Sequence, residues 1–148
     1  MRIGFLLILF LIIQSCSTRT NNQDDWGKNN IRSFEVDDPN VARAMKAAQD
    51  SLGFYIDYYN RFHGERNYRF FLKKNFEDDG EFEHMWSKPI ELNERGFTCI
   101  LDNEPNGLRN YKLGDTLQID FEDIEDFIIV TADTIEIGNY LQKELADK

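Results

Sequence analysis

Hydrophobic positions along the chain fall into three regimes. From Ile3 to Ile13 they are almost continuous, broken only by Gly4. From Val41 to Phe62 they recur at alternating four- and three-residue steps: Val41, Met45, Ala48, Leu52, Tyr55, Tyr59 and Phe62. That spacing lays them on one face of a helix and leaves Arg43, Lys46, Asp50 and Asp57 off it. Asp38 suits the N-cap, Pro39 the first helical position and Gly64 the stop, so the pattern predicts one long helix between them. Gly53 in its interior costs roughly 1 kcal/mol against Ala and points to close packing.

Beyond Gly64 the period drops to two. Arg69 to Phe76 places Phe70, Leu72 and Phe76 on one face, and Asp78-Asp79-Gly80 is a turn signal. Glu81 to Leu92 puts Phe82, His84, Trp86, Ile90 and Leu92 on one face, with Glu81, Glu83 and Met85 opposite. Pro89 late in this strand implies an edge or a bulge. After a turn at Asn93–Gly96 the chain returns through Phe97, Cys99 and Leu101 facing inward. Turns follow at Asn103–Gly107 and Lys112–Asp115. Then come alternating Leu117, Ile119 and Phe121, a buried-looking run from Ile124 to Val130, a short strand over Thr134–Ile137, and a short closing helix over Asn139–Leu145. One helix followed by about six strands predicts an α+β domain with a curved antiparallel sheet, and a sheet of that size can curl into a small SH3-like barrel.

The apolar run at the start is too short to span a bilayer: eleven residues at about 1.5 Å each cover about half of a hydrocarbon core. Behind the single positive charge of Arg2 it has the layout of a secretory signal. It ends in Ile13-Gln14-Ser15-Cys16, which resembles a bacterial lipobox. The resemblance implies removal of residues 1–15 and lipidation, including palmitate, at Cys16. More than one acyl chain gives stable anchoring where a single chain is marginal. Ser17 differs from the Asp retention signal of some envelope systems, so the outer membrane is the expected address, with the domain in the periplasm or at the cell surface. Residues 16–37 are mostly polar and aperiodic and read as a tether, in which Trp26 is the odd residue. The domain then occupies 38–148.

Composition adds a strong acidic balance, a net charge of −10 over 148 residues, made one unit more negative by loss of Arg2. Such a surface repels nucleic-acid phosphates, so no nucleic-acid partner is expected, while a basic protein partner is compatible with it. Twelve Phe and six Tyr supply an aromatic core.

Candidate chemistry is sparse. His84 is the natural acid–base residue, but its strand neighbour Glu83 points the other way, so an orienting carboxylate has to come from elsewhere, with Asp115 and Asp126 as candidates. Alternatively His84 bonds a backbone carbonyl at the edge of the core. Two histidines, His63 and His84, and one internal cysteine, Cys99, have no zinc-ligand spacing. The acidic run Asp120–Asp126 lacks the glycine and alternation of a calcium loop and reads as a junction with exposed carboxylates. No metal or cofactor is implied. Cys99 is expected to be a buried thiol. The Asn103–Gly107 turn beside Trp86 is a candidate recognition loop.

Ordered along the domain are Glu83, His84 and Trp86; Phe97, Leu101, Asn103 and Pro105; Gly114 and Asp115; Ile124 and Asp126, with Gly138 and Tyr140 closing. In this order they resemble the YegJ-like family, a bacterial domain of unknown function (DUF2314), over roughly Asp38 to Leu141. Cys99 stands where the family has Gly, and Phe127 where it has Trp. The resemblance implies no established activity, so no catalytic residue is carried over.

The expectation is a lipid-anchored envelope protein attached through Cys16. Its domain is a binding module whose candidate residues are His84, Trp86, Asn103, Pro105 and Asp115, with a protein as candidate partner. The alternatives are a hydrolase or metal-dependent enzyme using His84, and an immunity-type protein that captures a basic toxin.

Overall fold

The computed structural model describes residues 38–132 and 134–146. The signal run, Cys16, the tether and Trp26 lie outside the described residues.

Asp38 caps the first helix, its carboxylate accepting the Asn40 N–H at 2.8 Å, and Pro39 opens it. The helical stretch is two helices, α1 (Pro39–Asp50) and α2 (Leu52–Phe62), and not the single long one that the periodicity predicts. The break is at Ser51, where φ is −97° and ψ is 0°. Its N–H is shared between the Ala47 and Ala48 carbonyls, and its hydroxyl accepts a hydrogen bond from the Tyr140 hydroxyl at 2.8 Å. Ser51 and Gly53 together are a weak spot in a helix, and a partner from outside fixes the kink there. Gly53 itself marks no close packing, since a Cβ there would meet nothing within 4 Å. The apolar stripe continues across the kink: Ala48, Leu52, Tyr55 and Tyr59 are all buried.

Six strands form one sheet: β1 (Tyr68–Asp78), β2 (Glu81–Leu92), β3 (Gly96–Leu101), β4 (Thr116–Asp120), β5 (Asp126–Thr131) and β6 (Thr134–Gly138). Their order is β4-β3-β2-β1-β5-β6, every neighbouring pair antiparallel. A last helix, α3 (Tyr140–Ala146), packs on α1 through Leu141 against Val41 and Ala44. The sheet is open and does not curl into a barrel. After β4 the chain crosses to the far side of β1, so the five-residue strands β4 and β6 end as opposite edges with four strands between them.

The main core lies between the helices and one sheet face. There the Tyr55 ring packs against Phe70, Phe97 and Phe127, from β1, β3 and β5. The other face carries a second buried cluster of Phe71, Trp86, Ile128 and Val130. The β1–β2 hairpin turns through Asp79 and Gly80, both at positive φ, 51° and 84°, the geometry that favours an Asp-Gly pair.

The face predicted for β2 needs correction. Met85 is the residue that enters the main core, while Trp86 belongs to the opposite cluster. Pro89 marks a bulge inside an interior strand and not an edge: Pro89 pairs with Cys99 and Glu91 with Thr98, leaving Ile90 as the extra residue. The bulge reverses the alternation, so Leu92 packs on the main core although Trp86 does not, and Ile90 is left 54% exposed.

Candidate functional site

His84 lies on β2, with its Nδ1 2.6 Å from Glu125 Oε2. A carboxylate can only accept, so Nδ1–H donates. Glu125 just precedes β5, and its N–H donates to the Lys73 carbonyl at 2.9 Å, which fixes it against β1. Both side chains are mostly buried. The carboxylate that orients it is therefore Glu125, and neither Asp115 nor Asp126.

Asp126 has another task. Its carboxylate accepts the N–H groups of Phe127, Tyr140 and Leu141, at 2.8, 3.1 and 2.9 Å, and so caps α3 from β5. Burial pushes its carboxyl up to about 6, against these hydrogen bonds and nearby Lys73. Asp115 closes its own turn by accepting the Lys112 N–H at 2.9 Å. The run Asp120–Asp126 is thus exposed only in part, since Glu125 and Asp126 are buried.

The Asn103–Gly107 turn is tied to β2. Asn103 is fully buried and its side-chain oxygen accepts the Trp86 N–H, while the Trp86 carbonyl accepts the Asp102 N–H at 2.9 Å. The Asn106 and Gly107 N–H groups donate to the Glu83 carboxylate. Pro105 is half-buried between these anchors. The structure thus ties Asn103 and the Asn106–Gly107 turn to β2 at Trp86 and Glu83, the latter facing away from His84, while the Asp115 turn is tied to the end of β3, its carbonyl accepting the Leu101 N–H at 2.9 Å. Trp86 is 3% exposed, its indole N–H has no hydrogen-bond partner among the described residues, and Lys73 Nζ sits 5.2 Å from its ring centre. Lys73 is itself buried, and desolvation lowers its pKa, opposed by Asp126 and then Glu125.

Cys99 is buried and free, and burial pushes its thiol up to about 12. It is a packing residue rather than a nucleophile at neutral pH. Among the described residues no group of three or more His, Cys, Asp or Glu side chains is placed to hold a metal ion, and no helix is long and apolar enough to cross a membrane.

A concave site lies elsewhere, where the end of α2 meets the start of β1 beside the β2 bulge. It encloses about 350 Å³. Tyr59 and Tyr68 line it together with Phe70, Phe71, Pro89 and Ile90, and the polar groups that reach it are His63, Arg69 and Lys88. The His63 ring stacks on Tyr59, with centroids 4.7 Å apart, and its Nδ1 donates to the Tyr59 carbonyl at 2.8 Å. Lys88 lies over the Phe71 ring and pairs with Asp102 at 2.8 Å. None of these residues stands out by motif. The only signal in the sequence is Pro89, whose missing N–H creates the bulge that opens the cleft.

Helices stacked on one face of an open antiparallel sheet, with a ligand-sized cleft at its end, define a small α+β domain. Residues 38–148 match the model of the family described as "Uncharacterized protein conserved in bacteria (DUF2314)", and the chain belongs to that family. Nothing among curated proteins or solved structures matches it.

Proposed function

We propose that the protein is a lipid-anchored component of the bacterial cell envelope, held in the outer membrane through Cys16, and that its YegJ-like domain is a non-catalytic binding module. The observation that carries the binding role is the cleft beside Ile90. It offers aromatic and aliphatic walls in a volume of about 350 Å³, within the range of small-molecule sites. Asp126, Asp78, Asn103 and Glu83, by comparison, hold loops and a helix end. The anchor rests on the apolar run and the lipobox-like Ile13–Cys16.

One observation favours a second reading. The His84–Glu125 pair at 2.6 Å has the geometry of a base and its orienting carboxylate, as a hydrolase would use. A folded His84→Ala variant with full biological activity would remove that reading.

The test is native mass spectrometry of the tagged full-length chain, extracted gently from the envelope in detergent. The expected species begins at Cys16, carries acyl chains and retains a ligand or protein partner. A chain without acyl mass would overturn the anchor. A bare lipidated monomer, obtained again after mixing with envelope extract, would overturn the binding module.

A further inference from the structure

We propose that the segment just before the first helix, residues 26–37, docks on the second face of the sheet, opposite the helices. The occupant is this chain's own tether, and the inference does not depend on what the cleft binds.

Burial points to a cover. Directly paired residues of antiparallel strands share a face, so Lys73 and Asn75 of β1 lie with Trp86 and His84 of β2, and Phe71 lies with Ile128 of β5. Val130, two residues further along β5, joins them. Every buried apolar side chain of the described helices belongs to the main core or to the α1–α3 contact, and none to this face. An antiparallel sheet face with no second layer stands in water. Phe71, Ile128 and Val130 are nevertheless only 2, 3 and 0% exposed. Lys73 is the sharper sign. Its Nζ lies over the Trp86 ring, and a lysine on an open face extends its ammonium into water. At 3% exposure Lys73 is itself covered. The Trp86 indole N–H is also buried, without an acceptor among the described residues, and a backbone carbonyl of an overlying segment would supply one.

Reach and composition name the segment. Outside the described residues, the C-terminal side has only residues 133 and 147–148, whereas the N-terminal side has residues 1–37. Residues 1–15 are lost on processing under the proposed function. Residues 26–37 carry four large apolar side chains, Trp26, Ile31, Phe34 and Val36, in an otherwise polar stretch. Twelve extended residues reach about 40 Å. Six strands about 4.8 Å apart make a sheet about 24 Å across, so a chain leaving Asp38 can cross the whole face. Residues 16–25 remain as the link to Cys16. His84 shares this face, so the docked segment also screens the His84–Glu125 pair from solvent.

The test uses the chain extracted from the envelope in detergent, with Trp26→Phe so that Trp86 is the one remaining tryptophan. Acrylamide should quench Trp86 about fivefold less than free N-acetyltryptophanamide. Adding Phe34→Ser and Val36→Ser should raise the quenching at least threefold and make Lys73 reactive to acetic anhydride, read by mass spectrometry. In the unaltered chain, nuclear Overhauser contacts should join the Trp86 ring to Ile31 or Val36 methyl groups, a measurement that needs no variant to fold. Free quenching of Trp86 beside the native tether would show an open face and overturn the proposal. Protection that survives both serine substitutions, without those contacts, would overturn it too. It would then assign the cover to a second copy if it weakened on dilution, and otherwise to a bound partner.

Discussion

Two buried polar groups set the clearest expectations at the scale of single residues. The Tyr55 hydroxyl is buried and has no hydrogen-bond partner among the described residues, although its ring contacts three core phenylalanines. An unsatisfied buried hydroxyl costs about 1–3 kcal/mol, and Phe keeps the ring's shape without it. Tyr55→Phe should therefore raise stability by about 1 kcal/mol in chemical denaturation, and a loss of stability would mean the hydroxyl is satisfied. Asp126 behaves differently because its charge matters. Its folded carboxyl sits at about 6 against an ordinary 3.8, so the folded state holds the proton more tightly than the unfolded one. The resulting stabilisation is full below about pH 4 and lost as pH rises through 6, and it amounts to roughly 2–3 kcal/mol. Asp78 works in the opposite sense. Backbone and side-chain donors from Asn110 and Arg109 lower its pKa, so its contribution is lost as pH falls. Comparing the wild type with Asp126→Asn cancels Asp78. Between pH 4 and 7 the wild type should lose roughly 2–3 kcal/mol relative to the variant, and parallel stability curves would refute the raised pKa.

At the scale of elements, the junction between β6 and α3 has the least tolerance. Gly138 has φ of +87°, and a Cβ there would lie 1.9 Å from the Phe127 carbonyl oxygen. Neither strain can be relieved by a side-chain rotation. Gly138→Ala should cost about 3 kcal/mol or more and expose the α1–α3 contact to proteolysis first, and a variant as protease-resistant as wild type would contradict this. This junction also shows what the sequence could and could not convey. The helices, strands and turns were legible because periods of 3.6 and 2 are local properties of the chain, and turn pairs such as Asp79-Gly80 carry their own geometry. The break at Ser51 was not legible, because the stripe from Ala48 to Tyr59 runs through it and the partner that fixes the kink, Tyr140, lies 89 residues away. The open sheet was not legible either, since alternation is the same in a barrel and in an open sheet. Of the candidate site, the alternation argument separated Glu83 from His84 correctly. Glu125 was missed because it sits in an acidic run that reads as solvated, and only the pairing of β5 with β1 brings it within reach of His84. The cleft was missed because it is built from three elements and a single bulge.

At the scale of the whole molecule, electrostatics and anchoring pull in opposite directions. The net charge of −10 makes the domain's approach to an anionic lipid surface unfavourable, and the first capped helix begins only at Asp38. Membrane residence under the proposed function therefore depends on a covalent anchor placed away from the domain. Residues 16–37 suit that arrangement, since a chain of that length spans at most about 75 Å. The apolar run that precedes them is too short to hold the protein by itself. Anchoring and folding should then be separable. Cys16→Ala should move the chain from the membrane to the soluble fraction, or leave it as an unprocessed precursor that high salt does not release. In either case the denaturation midpoint of the domain should stay within error of wild type, because the described core begins at Val41. A Cys16→Ala chain that is processed normally and stays on the membrane would show that the domain binds the envelope directly. A fall in the midpoint would instead show that the lipidated terminus contributes to the fold.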